Sequence, residues 1–309
     1  FHFRLGDYDE AERLVRHRLD LAPPDSPDAA RAWNNLGLIY HFRADLDTAE
    51  TMLRRALDID TRIGHDEGIA RDLGNLALIP ESRGDLDTAL AQYQQAAATT
   101  GELLRRDPDQ AQRIFDHAQS VFWVGQIAWQ RGDADVAKTH FTQYHDYARQ
   151  LVALDPANDD WQMELNYGLS NLGTLAMDQG DFAAAEQHFK EALDVSRALS
   201  DNQPGDAGRL ITTGTSLAWL ADAVMRQGKL TQARDLRLEE IALYEHWLAT
   251  RAADANVRQL MADARYRLAQ IHLAMGRLDE AQESALLATQ IADDLLAADL
   301  GNIGRVDRA

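Results

Sequence analysis

A short turn sequence recurs along the chain, and it most constrains what the chain can fold into. Each copy has a small residue, usually Gly, and in most copies Asp follows it. The copies are Leu5-Gly6-Asp7, Arg43-Ala44-Asp45, Arg83-Gly84-Asp85, Arg131-Gly132-Asp133, Gln179-Gly180-Asp181, Gln227-Gly228-Lys229 and Met275-Gly276-Arg277. Gly at such a place ends one helix in the left-handed conformation, and the following Asp can cap the next helix. Ala44 replaces Gly in one copy, so we expect a strained turn there.

The spacing of these turns defines a repeat of two helices. An alanine follows each turn, and the series is Ala11, Ala49, Ala89, Ala137, Ala185, Ala233 and Ala281. The steps are 48 residues from Ala89 onward, and the two earlier steps are 38 and 40 residues. Forty-eight residues accommodate two helices of about 20 residues, each about 30 Å long, with two short turns. Pro108, Pro156 and Pro204 stand at the boundaries between repeats, where proline ends the preceding helix.

The apolar pattern within a repeat also predicts helices. In the segment from Asp155 to Ser200, one arc of the first helix carries Leu165, Leu169, Leu172, Gly173 and Ala176. The second helix has a matching stripe of Ala185, Phe189, Ala192, Leu193 and Ser196. Bulky and small residues alternate in both stripes, so we expect the two helices to approach closely, with Gly173 and Ala185 at the crossing.

Composition and charge exclude several classes of function. The net charge is −19, and 28 of the 31 basic residues are Arg, so the long-range potential opposes nucleic acid and anionic membranes. This balance favours a neutral or basic partner, although it can equally serve solubility alone. With no Cys, disulfides and thiolate metal sites are excluded. No apolar run reaches the roughly 20 residues of a membrane helix. We therefore expect a cytoplasmic protein without nucleic-acid binding or membrane insertion.

The sequence offers no catalytic, cofactor-binding or metal-binding constellation. It has no Gly-rich phosphate loop, nucleophile elbow or H-E-x-x-H motif. His140 and His145 are five residues apart and point to different helix faces, which makes a poor metal pair. Paired acids such as Asp159 and Asp160 are adjacent, and adjacent side chains diverge on a helix. We expect no catalysis, no cofactor and no metal.

The residues of the repeat carry a family signature. Between Ala30 and Leu57 it comprises Trp33, Leu36, Gly37 and Tyr40 on the first helix and Ala49, Leu53 and Ala56 on the second. The same signature recurs in a later repeat, at Leu172, Gly173, Ala176, Ala185, Phe189 and Ala192. The chain thus resembles a tetratricopeptide repeat array. The resemblance implies an all-α fold, a right-handed α-solenoid of stacked antiparallel helical hairpins, with about six units and a partial unit at each end.

Two repeat lengths divide the expected array. Residues 1–106 resemble units of about 40 residues, with a partial first unit at 1–22. Residues 107–299 resemble 48-residue units with lengthened helices, and residues 300–309 resemble the start of a truncated further unit. The chain begins with Phe and starts and stops part-way through a repeat, so we expect a fragment of a larger bacterial multidomain protein with frayed ends. Pro80 occupies the place of the signature Tyr and is expected to kink or end its helix.

The resemblance implies that first helices line a concave groove, and the helical wheel selects the residues that point away from the packed arc. Steps of one repeat collect them into three columns. The predicted binding residues are Arg31, Asn35, Arg71, Asn75, Trp123, Gln126, Tyr167, Asn171, Thr174, Trp219, Asp222 and Arg267, with Gln119, Thr215, Asp263 and Gln270 in the same columns. Asn can pair with any peptide backbone, and Trp offers a rigid contact surface. The alternative is that these side chains only pack against neighbouring helix edges.

These columns predict a protein–protein interaction scaffold that binds a peptide or partner segment, as the regulatory part of a larger signalling protein. Self-assembly, autoinhibition of a linked domain and small-ligand sensing stay open as alternatives. Arg31 and Arg71 could form an anion site with Asn35 and Asn75, or simply be solvated arginines. The three lysines, Lys138, Lys190 and Lys229, lie off the columns, so a lysine-based carboxylate clamp is not expected.

Overall fold

The computed structural model describes the backbone of residues 8–306 and the side chains of residues 8–298. Over that range the chain is an all-α helical-repeat solenoid with thirteen helices and no β-strand. The helices are α1 (Tyr8–Leu21), α2 (Pro27–Phe42), α3 (Leu46–Ile63), α4 (Asp66–Ser82), α5 (Leu86–Arg106), α6 (Ala111–Gln130), α7 (Ala134–Leu154), α8 (Asp159–Asp178), α9 (Phe182–Asn202), α10 (Ala207–Arg226), α11 (Leu230–Leu248), α12 (Ala255–Ala274) and α13 (Leu278–Val306).

The recurring turns join the two helices of each hairpin in the way their sequence predicts. Gly84 and Gly132 have φ values of +78° and +84°, in the left-handed region. Asp85 then caps α5 by accepting the backbone N–H of Thr88 at 3.1 Å. Ala44 takes φ +60°, and within the described residues it is the single non-glycine with positive φ. The expected strain in that turn is therefore present.

Replacing Ala44 with Gly should stabilise the protein. The left-handed conformation costs a residue with a Cβ about 1–2 kcal/mol, and Gly removes this cost. Part of the gain is offset because Gly makes the unfolded chain more flexible and so increases the entropy that is lost on folding. We expect a net gain of about 0.5–1 kcal/mol in the free energy of unfolding, measured by urea titration. The converse change, Gly84→Ala, should lose a similar amount, since Gly84 has φ +78° and a Cβ there would meet no other atom. Equal stability of Ala44→Gly and the parent would show that the turn is unstrained.

The hairpins belong to two compact units, which divide between Asp155 and Pro156. The N-terminal unit contains α1 and the hairpins α2–α3, α4–α5 and α6–α7. The C-terminal unit contains the hairpins α8–α9, α10–α11 and α12–α13. Within each unit every helix packs against the next one along the chain, and α2 also packs against α4, as α10 does against α12.

Small residues facing large ones bring the two helices of a hairpin together. Phe141 and Phe189 are fully buried. Gly125 lies so close to Phe141 that a Cβ would stand 2.9 Å from its ring, and a Cβ on Gly173 would overlap the ring of Phe189. Ala185 is fully buried on the other helix of the second pair. The crossing predicted at Gly173 is thus formed by a glycine against an aromatic ring.

Two expected helix boundaries differ in the structure. Helix α4 continues through the buried Pro80 to Ser82 and ends in the same register as α2. It does so because Pro80 lies in the last turn, and its carbonyl still accepts the N–H of Asp85 at 2.8 Å. Helix α13 continues through the predicted turn at residues 299–300 to Val306, where no proline interrupts it. The predicted fraying concerns residues 1–7 and 307–309, which lie outside the described part of the chain.

Candidate functional site

A groove in the N-terminal unit gathers several of the predicted binding residues. Helices α4 and α6 form its walls, and α5, which packs against both, forms its floor. Its volume is about 590 Å³. The predicted residues that line it are Arg31, Arg71, Asn75, Gln119 and Trp123. Side chains from three successive first helices, α2, α4 and α6, therefore meet at one surface, which we call the α4–α6 groove.

The aromatic surface of the groove is a stacked pair. The Trp123 ring lies 5.7 Å from the Tyr93 ring, with an angle of 11° between the planes. Trp123 remains 36% exposed, whereas Tyr93 on α5 is buried. The Tyr93 hydroxyl donates to Glu81 at 2.9 Å, and burial raises the pKa of this hydroxyl far above its ordinary value. Trp123 thus rests on a rigid core residue and keeps an open surface.

A buried ionic cluster lies behind the α4 wall. Asp60 and Asp72 are both fully buried, and the Arg71 guanidinium bridges them, at 2.9 Å from Asp60 Oδ2 and 2.7 Å from Asp72 Oδ1. His65 Nδ1 lies 3.0 Å from Asp60 Oδ1. Gly68 makes room, because a Cβ there would overlap the Asp60 carboxylate. Arg71 and His65 line the groove, so the cluster connects the core with the candidate site.

The buried position of Asp72 in this cluster favours its protonated form. Burial raises the pKa of Asp72 to about 7, the neighbouring Asp60 carboxylate adds to this rise, and Arg71 opposes it. Asp72 Oδ2 accepts no hydrogen bond from any described group. A proton on that oxygen satisfies it, since it can then donate to Asp60. The two buried carboxylates thus have one guanidinium, that of Arg71, between them, and Asp72 is the carboxyl whose pKa rises.

The two groove arginines have different surroundings, and only Arg71 departs from the expectation of a solvated arginine. Arg71 pairs with two buried carboxylates through its Nε and Nη2 atoms, and its side chain is 28% exposed. Arg31 is exposed and makes no ion pair within the described residues. Asn75 donates to Asn34 at 2.8 Å, which occupies part of its amide. Asn35 lines a separate cavity of about 240 Å³ between α1 and α2, which Arg31 also borders.

The other predicted residues are distributed over helices with varied environments. Gln126 is half-buried on α6 outside the lining of the groove. In the C-terminal unit, Tyr167 is exposed and Asn171 is half-buried on α8. Trp219 is 37% exposed, with its ring 5.5 Å from Phe189.

Three further predicted residues of the C-terminal unit are engaged by contacts inside it. The Thr174 hydroxyl donates to Ser170 O at 2.9 Å. Asp222 accepts from the buried Arg237 at 2.6 Å. Arg267 donates to Gln270 at 3.2 Å. Only part of each of these side chains remains available to a partner.

Sequence reasoning missed the buried cluster, although one signal was present. Asp60 stands eleven residues after Ala49. The corresponding positions in the next four repeats, all buried, are Thr100, Ala148, Ser196 and Tyr244. The repeating apolar stripe of the second helices therefore predicted a buried residue at position 60. A buried acid needs either a positively charged partner or a proton of its own. Gly74 was also missed, because nothing in its helix pattern shows that it borders a groove.

Two general features limit the chemistry of the described residues. Among them no group of three His, Asp or Glu side chains is arranged to hold a metal ion. None of their helices combines the length and apolar character that a membrane crossing requires.

The fold and groove define a class of helical-repeat proteins, and family profiles identify which one. Profiles of the tetratricopeptide repeat match residues 1–62 and 28–100, residues 168–204 and residues 262–295, together more than half of the chain. The chain belongs to the tetratricopeptide repeat family. A comparison with curated protein sequences found no significant match.

Solved structures share the fold at low sequence identity. A signal-transduction ATPase with numerous domains and a tetratricopeptide-repeat sensor, from Pyrococcus horikoshii, is 12% identical, with a TM-score of 0.70 over 97% of this chain and 42% of that chain. BtubC from P. vanneervenii is 16% identical, with a TM-score of 0.60 over 82% of this chain and 90% of that one. A Rap protein complexed with competence and sporulation factor is 12% identical, with a TM-score of 0.52 over 94% and 72%.

Proposed function

We propose that this chain is a non-catalytic protein-interaction scaffold whose α4–α6 groove binds an extended segment of a partner protein. The observation that carries the proposal is the meeting of Arg31, Asn75 and Trp123 in one groove of about 590 Å³. Each residue comes from a different hairpin, so a ligand in the groove contacts three successive repeats. The partner segment is a short stretch of chain rather than a folded face, since a groove of this size holds only a few side chains.

The chemistry of the lining fits a peptide. Asn75 supplies amide atoms for main-chain hydrogen bonds, and Trp123 supplies a large apolar contact. Arg31 makes no ion pair with any residue that the structure describes, so an acidic group on the peptide would satisfy it. Glu67 also borders the groove, but the ion pair with Arg113 neutralises its charge. Asp116 also lines the groove and accepts from Gln112 at 2.7 Å, so its carboxylate offsets the charge of Arg31 there.

Two of the structural relatives agree with such a role. The Rap protein was solved with competence and sporulation factor, and the Pyrococcus ATPase uses its tetratricopeptide repeats as a sensor. By analogy, we place this chain in the regulatory part of a larger signalling protein. Small-ligand sensing is the second candidate, favoured by the volume of about 590 Å³, which falls in the range of about 300–1,000 Å³ typical of small-molecule sites.

Peptide selection tests the proposal. A phage-displayed library of random peptides is selected on the intact chain, and the affinity of a synthetic peptide from the enriched set is measured by fluorescence anisotropy. Trp123→Ala and Arg31→Glu should each weaken binding about tenfold or more, because they remove an aromatic anchor and a charge contact. Light scattering of the same samples should show an unchanged mass, which separates peptide binding from self-assembly.

Two matched variants serve as controls. Trp219 has nearly the same exposure as Trp123, 37% against 36%. Its ring lies 5.5 Å from the supporting aromatic ring, against 5.7 Å for Trp123, but it belongs to the C-terminal unit. Arg149 is exposed on α7 away from the groove lining. Trp219→Ala and Arg149→Glu should leave peptide affinity unchanged. Equal losses at both tryptophans would place the binding surface elsewhere. A melting shift with small molecules but no peptide enrichment would favour the sensor.

A further inference from the structure

Gly74 leaves an opening in the wall of the α4–α6 groove. It lies in the middle of α4 and borders the groove. A Cβ built on it would meet no other atom within 4 Å. This differs from Gly37, Gly125 and Gly173, where a Cβ would collide with the facing helix. Gly74 therefore has no packing role inside the hairpin, although glycine in a helix interior is less stabilising than alanine.

The repeat register shows how unusual this opening is within the chain. Position 74 corresponds to a residue with a side chain in every other repeat: Asn34, Phe122, Ser170, Ala218 and Tyr266. Among these repeats, only the one that contains α4, which forms one of the two groove walls, therefore has a glycine at this position. The empty space lies on the groove side of α4, because Gly74 lines the groove and no described atom lies within 4 Å of a Cβ built there.

Trp123 lies on the opposite wall from this opening. Its indole is stacked on the buried Tyr93 and meets Phe122 edge-on at 5.1 Å. With 36% of the residue exposed, the indole still presents surface to the groove. Aromatic rings pack on one another in offset-stacked or edge-on arrangements, which stabilise them beyond the burial of their area. An aromatic ring that extends from the peptide toward Gly74 would fill the opening there and would also pack on the exposed surface of the Trp123 indole.

We propose that the space between Gly74 and Trp123 is a subsite for an aromatic side chain of the bound peptide. This inference rests on the proposed function, because it names the side chain that the same groove selects. The glycine supplies the width that a ring needs, and Trp123 supplies a surface for stacking. Charge gives a cationic side chain no advantage there, since Arg31 and Asp116 line the same groove with opposite charges and Arg71 is paired with buried carboxylates. An aliphatic side chain would fill the space without the stacking contact.

A filling substitution at Gly74 tests the subsite. Gly74→Phe should place a ring of the protein itself into the space that the peptide ring needs, so the affinity for the selected peptide should fall at least about tenfold. Gly74→Ala adds one methyl group and should keep most of the binding. Ala91→Phe, on the exposed side of α5, adds the same ring away from the groove and should have no effect. Thermal melting of all three variants shows whether they remain folded.

The peptide itself provides the second measurement, which needs no variant of the protein. Peptides enriched on the intact chain should share Trp, Phe or Tyr at one position, and replacing that residue with Ala should weaken binding about tenfold or more. Leu at that position should restore only part of the affinity. Enriched peptides that lack an aromatic residue, or carry a basic one in its place, and still need Arg31 would overturn the aromatic subsite but leave the proposed function intact. If no peptide is enriched, both fall.

Discussion

Asp72→Asn should abolish a loss of stability that the unaltered protein shows as pH rises through neutrality. Asn keeps a carbonyl oxygen for Arg71 and carries an amide where protonated Asp72 has its hydroxyl. It therefore mimics the protonated side chain. In the folded protein the pKa of Asp72 is raised from 3.8 to about 7. The folded state thus binds the proton more tightly than the unfolded chain does.

The sign follows from proton linkage. The stabilisation is fully present below pH 3.8, the ordinary pKa of the carboxyl, and is lost as pH rises through about 7. The free energy of unfolding of the parent should therefore fall by roughly 2–4 kcal/mol relative to Asp72→Asn between about pH 5 and pH 8.5. Urea titrations at several pH values measure this difference. Asp109→Asn, at an exposed position, is the control, and parallel pH profiles of Asp72→Asn and the parent would contradict the raised pKa of Asp72.

The same substitution, Gly to Ala, should have opposite effects at two positions. At Gly173 the added methyl group would overlap the ring of Phe189, which is 1% exposed and cannot move into solvent. Overpacking of this kind costs about 1–3 kcal/mol and outweighs the gain in helix propensity. At Gly74 the methyl group meets nothing, so Gly74→Ala should stabilise by about 0.5–1 kcal/mol.

Urea titration of each variant against the parent measures both changes. A matched check at the crossing is Phe189→Leu combined with Gly173→Ala, which should recover part of the lost stability by making room for the methyl group. A stabilising Gly173→Ala would mean that the helices of this hairpin are further apart than the structure places them. A destabilising Gly74→Ala would mean that the groove wall is filled by another part of the protein.

The fold was predictable because the same local sequence signals for turns and for packed helix faces recur in successive repeats. Gly84 and Asp85 end one helix and begin the next, and the same pair recurs at Gly180 and Asp181. The spacing of small and large residues predicted which helix faces pack, as at Gly173. The position of α1 followed from the single half-repeat at residues 8–21.

The candidate site was only partly predictable, because a helical wheel shows the direction in which a side chain points but not which residues it contacts. Arg71 pointed toward the predicted surface, yet its guanidinium is paired with the adjacent Asp72 and with Asp60 on the preceding helix α3, and a helical wheel predicts neither contact. Trp123 was identified as exposed, but its support by Tyr93 depends on how α5 and α6 pack. The repeat register shows that position 74 lacks a side chain, but the open space beside Gly74 was not predictable, since it is a property of the assembled helices rather than of one residue.

The constant geometry of the turns within hairpins determines where repeats of different length can differ. Helix α2 has 16 residues and α6 has 20, yet each is followed by the same left-handed turn, at Ala44 and Gly132. The four extra residues, about one helical turn, are therefore added at the far ends of the helices, next to the connections between hairpins. Lengthening by whole helical turns there keeps the phase of the packed stripe. Repeats can thus be lengthened or joined at the connections between hairpins without changing how the two helices cross near the turn. These connections are therefore suited to domain insertion and to engineered extension of the array.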